Sequence, residues 1–311
     1  MSTSRRSERF ESTPFAKGLL REMMAGRGPF YGDWHEGLSP GLREGLDGVL
    51  IEDRVRPHPY LAARNSSMAF ALNLFLPFRL GDAGPLSTLL SRELGREVYV
   101  ERLVFEYGGP THVLGEVAGE SPTEDEKFTA ADVAVFVRDA EGGRGVVLIE
   151  VKLTEGGFTA CGGAESNGNR RPDVCASADT FFADPSACYL RHPWRASRDR
   201  RYWTIFADAH GSVRRAFPSA AEGGCPFRGD AQQVMRNHAL ALGLVQAGLA
   251  DWWAFLLVHH DRNPDVPPPW DAYVAMTADA ERFRRVPASR VAEAGSDPVW
   301  MAERYRFGGT R

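Results

Sequence analysis

Two acids and a lysine interrupt runs of β-branched and apolar residues between Thr129 and Leu153, and this constrains the fold more than any other feature of the chain. Buried strands rarely carry charge without a use for it. Val133 to Arg138 and Gly145 to Leu153 read as two strands, and Ala140-Glu141-Gly142-Gly143-Arg144 between them supplies the glycine of a tight hairpin. Side chains alternate at period two, so Glu150 and Lys152 share one face while Ile149, Val151 and Leu153 point to the other. A turn centred on residue 142 sets Asp132 opposite Lys152 and Ala134 opposite Glu150, gathering three polar groups on one face. A two-residue Gly142-Gly143 turn instead shifts the pairing by one and sends Asp132 to the other face.

Lysine itself is informative. Of 37 basic residues only Lys17, Lys127 and Lys152 are lysine, so the chain uses arginine almost everywhere it needs a cation. An ammonium is a compact charge whose pKa can be moved, whereas guanidinium stays protonated. Asp132 and Glu150 are hard oxygen donors suited to Mg²⁺ or Mn²⁺, the Val151 carbonyl is a further oxygen, and Lys152 can orient or deprotonate water beside them. Glu97 and Glu101, at the preceding expected strand, are candidates for an additional acid.

Asp132 followed by Glu150-Val151-Lys152 on the next strand resembles the PD-(D/E)XK nuclease superfamily, with Ala131 standing where the name has proline. Asn65-Ser-Ser-Met-Ala-Phe-Ala-Leu-Asn-Leu-Phe75, Leu153-Thr-Glu-Gly-Gly-Phe158 with Cys161, and Gln233-Val-Met-Arg236-Asn237 are similar to a bacterial subgroup of restriction endonuclease-like proteins. The resemblance spans roughly residues 60 to 260. It implies an α/β fold with a three-layer α/β/α core around a mixed sheet, one or two Mg²⁺ ions, and hydrolysis of phosphodiesters. It also implies a glutamine near the metal, matched by Gln233, with Arg236 beside it on a helix expected from Ala231 to Ala247, capped by Asp230 and ended by Gly248.

All four cysteines, Cys161, Cys175, Cys188 and Cys225, follow the acid-x-lysine strand, and no C-x-x-C occurs. Three readings stay open: a shared iron–sulfur cluster, which some nucleases of the superfamily carry, a zinc ion, or ordinary thiols. Arg191, Arg195 and Arg198, interleaved with aromatics up to Trp203, form a basic stretch suited to phosphate contacts and base stacking. A net charge of −4 argues against binding nucleic acid over the whole surface, though not at one local face. His259-His260 lacks a third ligand at diagnostic spacing and reads as polar residues closing a strand.

Along the chain, residues 1–60 read as a peripheral helical segment and 61–265 as the nuclease-like core with a cysteine-bearing insertion at 156–228. Residues 266–311 read as a surface tail with a short helix near Ala278 to Arg285. Strands are expected at Val98 to Tyr107, His112 to Val117 and Trp252 to His260, and helices at Phe15 to Met24, Leu42 to Ile51, Ser66 to Phe75 and Leu86 to Leu94. The longest apolar run falls far short of the roughly 20 residues of a membrane span, and the first residues lack a signal-peptide core, so a cytoplasmic protein is expected. The reading expects a metal-dependent nuclease whose partner is nucleic acid, foremost DNA; the alternative is a nucleic-acid-binding or cluster-bearing regulatory module on the same fold that does not cut.

Overall fold

The structure is a computed structural model that describes residues 13–55, 57, 60–116, 128–191, 200–295 and 297–307. Five strands form one mixed sheet in sequence order: β1 (Val98–Tyr107), β2 (Ala131–Asp139), β3 (Arg144–Lys152), β4 (Trp252–His259) and β5 (Phe283–Pro287). The first three are antiparallel, whereas β3, β4 and β5 run parallel. Parallel neighbours need a long crossover. The one between β3 and β4 carries all four cysteines and the longest helix.

Helices cover both faces, giving the expected α/β/α layering. On one side lie α1 (Pro14–Met24), α2 (Ser67–Leu80) and α3 (Gly84–Leu94); on the other lie α4 (Tyr202–His210), α5 (Ala231–Gln246) and α6 (Pro267–Met276). Two C-terminal helices, α7 (Ala288–Ala294) and α8 (Pro298–Tyr305), return to the first side. Period two sorts the central strand between them. Val147, Ile149 and Val151 pack toward α2, while Val146 and Leu148 pack toward α5. β4 is buried along nearly its whole length, as a parallel strand covered on both faces must be.

The helix α2 is apolar all round and lies in the core, as that pattern requires. Its buried Asn73 is fully engaged, with the two Nδ2 hydrogens shared among the Gly37 and Ala69 carbonyls and the Tyr305 hydroxyl, and Oδ1 accepting from Ser39 N–H. Ser66 caps the helix through Ala69 N–H, 3.2 Å away, and the helix runs past the expected end at Phe75 through Pro77 to Leu80.

Four expectations need correction. His112, expected in a strand, lies in a single helical turn, Thr111–Leu114, ended by Gly115 at φ +69°; Val117 lies outside the described residues. The early helix expected from Leu42 begins only at Leu46 and ends at Glu52. Asp230 precedes α5 but makes no capping hydrogen bond, its carboxylate lying instead against Gly157. Residues after 266 are not a surface tail. They supply α6 and the edge strand β5, and bury Trp270, Tyr273, Phe283, Val286, Met301 and Tyr305. No helix among the described residues is long and apolar enough to cross a membrane.

Candidate active site

The β2–β3 hairpin turns through Asp139–Gly143, with Glu141 at its centre. Asp139 accepts from the N–H groups of Glu141 and Gly143 at 3.1 and 2.7 Å, and this side-chain cap fixes the loop. Pairing therefore runs Arg138↔Arg144 to Val133↔Ile149. The next step sets Asp132 opposite Glu150, two residues from the register expected for a turn centred on 142, and Ala134 faces Leu148. An even shift preserves the face, so Asp132, Glu150 and Lys152 still point together toward α5.

Strand β1 extends the row. Phe105 pairs with Val133 and Tyr107 with Ala131, which places Glu106 across from Asp132. Three carboxylates, Glu106, Asp132 and Glu150, thus lie side by side on adjacent strands. Glu106 has φ +48°, a left-handed conformation that costs a residue with a Cβ about 1 kcal/mol or more. The candidates named from sequence fall elsewhere. Glu101 is exposed in an ion pair with Arg138 at 2.7 Å, and the exposed Glu97 accepts from Tyr99. A bulge between Val100 and Arg102 reverses the alternation of β1, so counting by twos from Glu101 lands on the wrong face.

Lys152 Nζ pairs with Glu150 Oε1 at 2.8 Å and lies 5.3 Å from the centre of the Phe158 ring. From α5, Gln233 donates to Glu150 Oε1 at 2.6 Å and Asn237 to Glu150 Oε2 at 2.9 Å, so both carboxylate oxygens are held. Gln233 Oε1 in turn accepts from Thr159 N–H at 2.9 Å and, more loosely, from Lys152 at 3.4 Å. Asp132 Oδ2 accepts the Val151 N–H at 2.6 Å. Asn237 shares the polar helical spacing of Gln233, one turn on, and that spacing is the signal that could have assigned it. Beyond β3, Glu155 accepts the N–H groups of Leu153 and Thr154 and adds a fourth carboxylate near the lysine.

The electrostatics follow from crowding. Burial, then the charges of Glu150 and Glu106, pushes Asp132 well above the usual carboxylate range. Burial first and Glu150 second raise Glu106 to about 7. Burial would depress the Lys152 ammonium, but Glu150, Glu155 and Asp132 together outweigh it and hold the group protonated above its ordinary value. The lysine is a charged donor here, not a base. The pocket therefore has more acid than cation to balance it. Among the described residues no three His, Cys, Asp or Glu side chains are arranged as a ready-made cage for a metal ion. Mg²⁺ does not need such a cage, since it commonly takes one or two carboxylates and completes its shell with water and phosphate.

Other expected site residues lie apart from the trio. Arg236 is largely buried: its Nε donates to Thr129 at 2.8 Å and its Nη2 lies 3.5 Å from Glu116, which also accepts from Tyr202. It braces the start of β2 and presents no free face to nucleic acid. Arg191 sits on the turn after Cys188, and Arg195 and Arg198 lie outside the described residues. His259 and His260 hydrogen-bond backbone carbonyls, of His260 and Tyr305, and burial lowers both, so they close the strand as neutral groups. Cys161, Cys175, Cys188 and Cys225, from four separate segments, line one cavity.

No match was found among curated proteins or among solved structures. The family model described as Restriction Endonuclease associating with ARP matches residues 38–306, a span that takes in every strand of the sheet and every member of the acid row. The chain belongs to that restriction-endonuclease family.

Proposed function

We propose that this chain is a PD-(D/E)XK-type nuclease that hydrolyses phosphodiester bonds in nucleic acid, foremost DNA, with Mg²⁺ or Mn²⁺. One observation carries the reading: Glu106, Asp132 and Glu150 crowd beside a single ammonium in a pocket where two of the carboxyls are held above their ordinary pKa. Such a pocket favours a divalent cation, because the cation offsets the cost of burying ionised carboxylates and relieves the repulsion among them. The donor set fits. Asp132 and Glu150 would hold the ion, with the Val151 carbonyl and Glu106 as further oxygens. Bound there, the ion supplies Lewis-acid stabilisation of charge developing on the phosphate.

The chain's own groups do the rest. Lys152, kept protonated, donates to a phosphate oxygen and orients the attacking water. Gln233 and Asn237 lock the plane of the Glu150 carboxylate, which fixes where its oxygens point. Phe158 walls the ammonium on one side and limits water there. Membership in a restriction-endonuclease family supports nucleic acid as the substrate.

The test is incubation of the full chain with single-stranded DNA, duplex DNA and RNA in Mg²⁺ or Mn²⁺, beside Lys152→Ala and a chelator control. Cleavage that needs the metal and is lost in Lys152→Ala, while that variant still binds and keeps its circular dichroism, supports the reading. Wild-type protein that binds but never cuts would instead make this a regulatory module and end the proposal.

A further inference from the structure

The four cysteines are the most concentrated unused chemistry in the molecule. Cys161 follows β3, Cys175 lies in the helix Pro172–Ala176, Cys188 follows a tight turn at Pro185–Ala187, and Cys225 precedes α5. Their spacings in sequence differ, yet all four border one cavity walled by Leu190, Trp203 and Phe227. None is in a disulfide. Each segment is tied to another, as where Cys225 N–H donates to the Cys175 carbonyl at 3.1 Å and Cys161 N–H to that of Arg228 at 3.2 Å.

The sulfurs are also supplied with donors. Backbone N–H groups of Gly163 and Ala164 point at Cys161, that of Leu190 at Cys188 and that of Phe227 at Cys225, in each case beginning two residues after the cysteine. Cys175 accepts from Asn169 Nδ2 at 3.4 Å. The buried Trp203 indole N–H faces Cys188 without completing a hydrogen bond. Neutral buried thiols pack as small apolar groups and need no such donors, whereas thiolates bound to metal do. Burial nevertheless pushes Cys188 and Cys225 up to about 12, so thiolates there require a cationic partner to displace their protons.

A single zinc ion with Zn–S bonds of about 2.3 Å draws its four sulfurs to roughly 3.8 Å of one another. Among the described residues no three potential ligands close on one ion in that way, while four sulfurs ring a common cavity. In an iron–sulfur cluster the thiolates are shared out over several irons, so the sulfurs need not close on one ion. We infer that Cys161, Cys175, Cys188 and Cys225 bind an iron–sulfur cluster. Such a cluster would staple the crossover between β3 and α5, starting a few residues from Thr159, whose N–H positions Gln233.

The test is to purify the full chain without air, with reconstitution by ferrous iron and sulfide as a second arm, and to measure visible absorption, iron, acid-labile sulfide and zinc. Broad thiolate-to-iron absorption is expected, with iron and sulfide in matching amounts on the order of two to four per chain. Cys188→Ser and Cys225→Ser should each lose most of it. A wild-type protein that takes up no iron after reconstitution, or that holds zinc and does not exchange it for iron, overturns the assignment. If a serine variant fails to fold, the wild-type metal and sulfide contents still decide. Neither DNA nor magnesium enters these readouts, so this assignment and the nuclease proposal can fail separately.

Discussion

Replacing Glu106 by glutamine tests the reasoning about the acid row quantitatively. In the metal-free fold its carboxyl titrates near 7 instead of an ordinary 4.5, chiefly through burial and then through Glu150. An acid whose folded pKa is raised weakens the fold when ionised. The penalty is absent below about 4.5, grows between 4.5 and 7, and is complete above 7. A rise of that size corresponds to about 3 kcal/mol, a bound that coupling to Asp132 and Glu150 reduces. Glu106→Gln keeps the shape and removes the charge. Urea unfolding without divalent ions, compared at pH 5 and pH 8, should therefore show wild-type stability falling across that window more than the variant's, with the variant the more stable at pH 8. Adding Mg²⁺ should reverse the order, because the ion stabilises the protein that keeps the anionic carboxylate. Equal pH slopes for the two proteins, or a variant less stable at pH 8, would refute the claim that Glu106 shares a crowded pocket.

Three further outcomes follow from the same geometry. Lys152→Met strands the buried Glu150 without its cation and should cost about 3–5 kcal/mol in denaturant unfolding at pH 7, beyond its loss of cleavage. Asn237→Leu leaves one Glu150 oxygen without its 2.9 Å donor and should weaken Mn²⁺ affinity by about 10–100-fold in a titration while leaving the helical signal intact. Gly145→Ala puts a methyl group within 2.2 Å of the Trp252 ring and should destabilise by about 1–3 kcal/mol, measured by chemical denaturation.

The acids on β2 and β3 were legible because charge inside β-branched runs is costly and period two fixes their faces. The hairpin register was not legible, because a turn centred on residue 142 and a two-residue Gly142-Gly143 turn put Asp132 on opposite faces. Asp139 pulls the turn centre to Glu141 by accepting two backbone N–H groups, and residue type alone does not announce that cap over the neighbouring glycines. Glu106 was hidden for two reasons. A bulge at Glu101 resets the alternation of β1, and Glu106 itself adopts a left-handed backbone that breaks period two again. Its only signal was an acid set between Phe105 and Tyr107.

Arg236 illustrates the converse. Its place beside Gln233 on the expected helix suggests a shared site, but its side chain turns into the Thr129, Glu116 and Tyr202 network. β5 was missed because Arg284 and Arg285 interrupt a five-residue strand at the sheet edge, where charged side chains reach solvent. Convergence of the cysteines depends on how four separate segments fold against α4, which no local spacing encodes.

Divalent-ion titration by calorimetry is the most direct test of the acid row. Near pH 7, wild-type protein should bind Mn²⁺ with release of protons from the raised carboxyls, seen as a heat that changes with the ionisation enthalpy of the buffer, and Asp132→Asn should lose most of that binding. No measurable Mn²⁺ uptake by the wild type, or equal uptake by Asp132→Asn, would contradict the account.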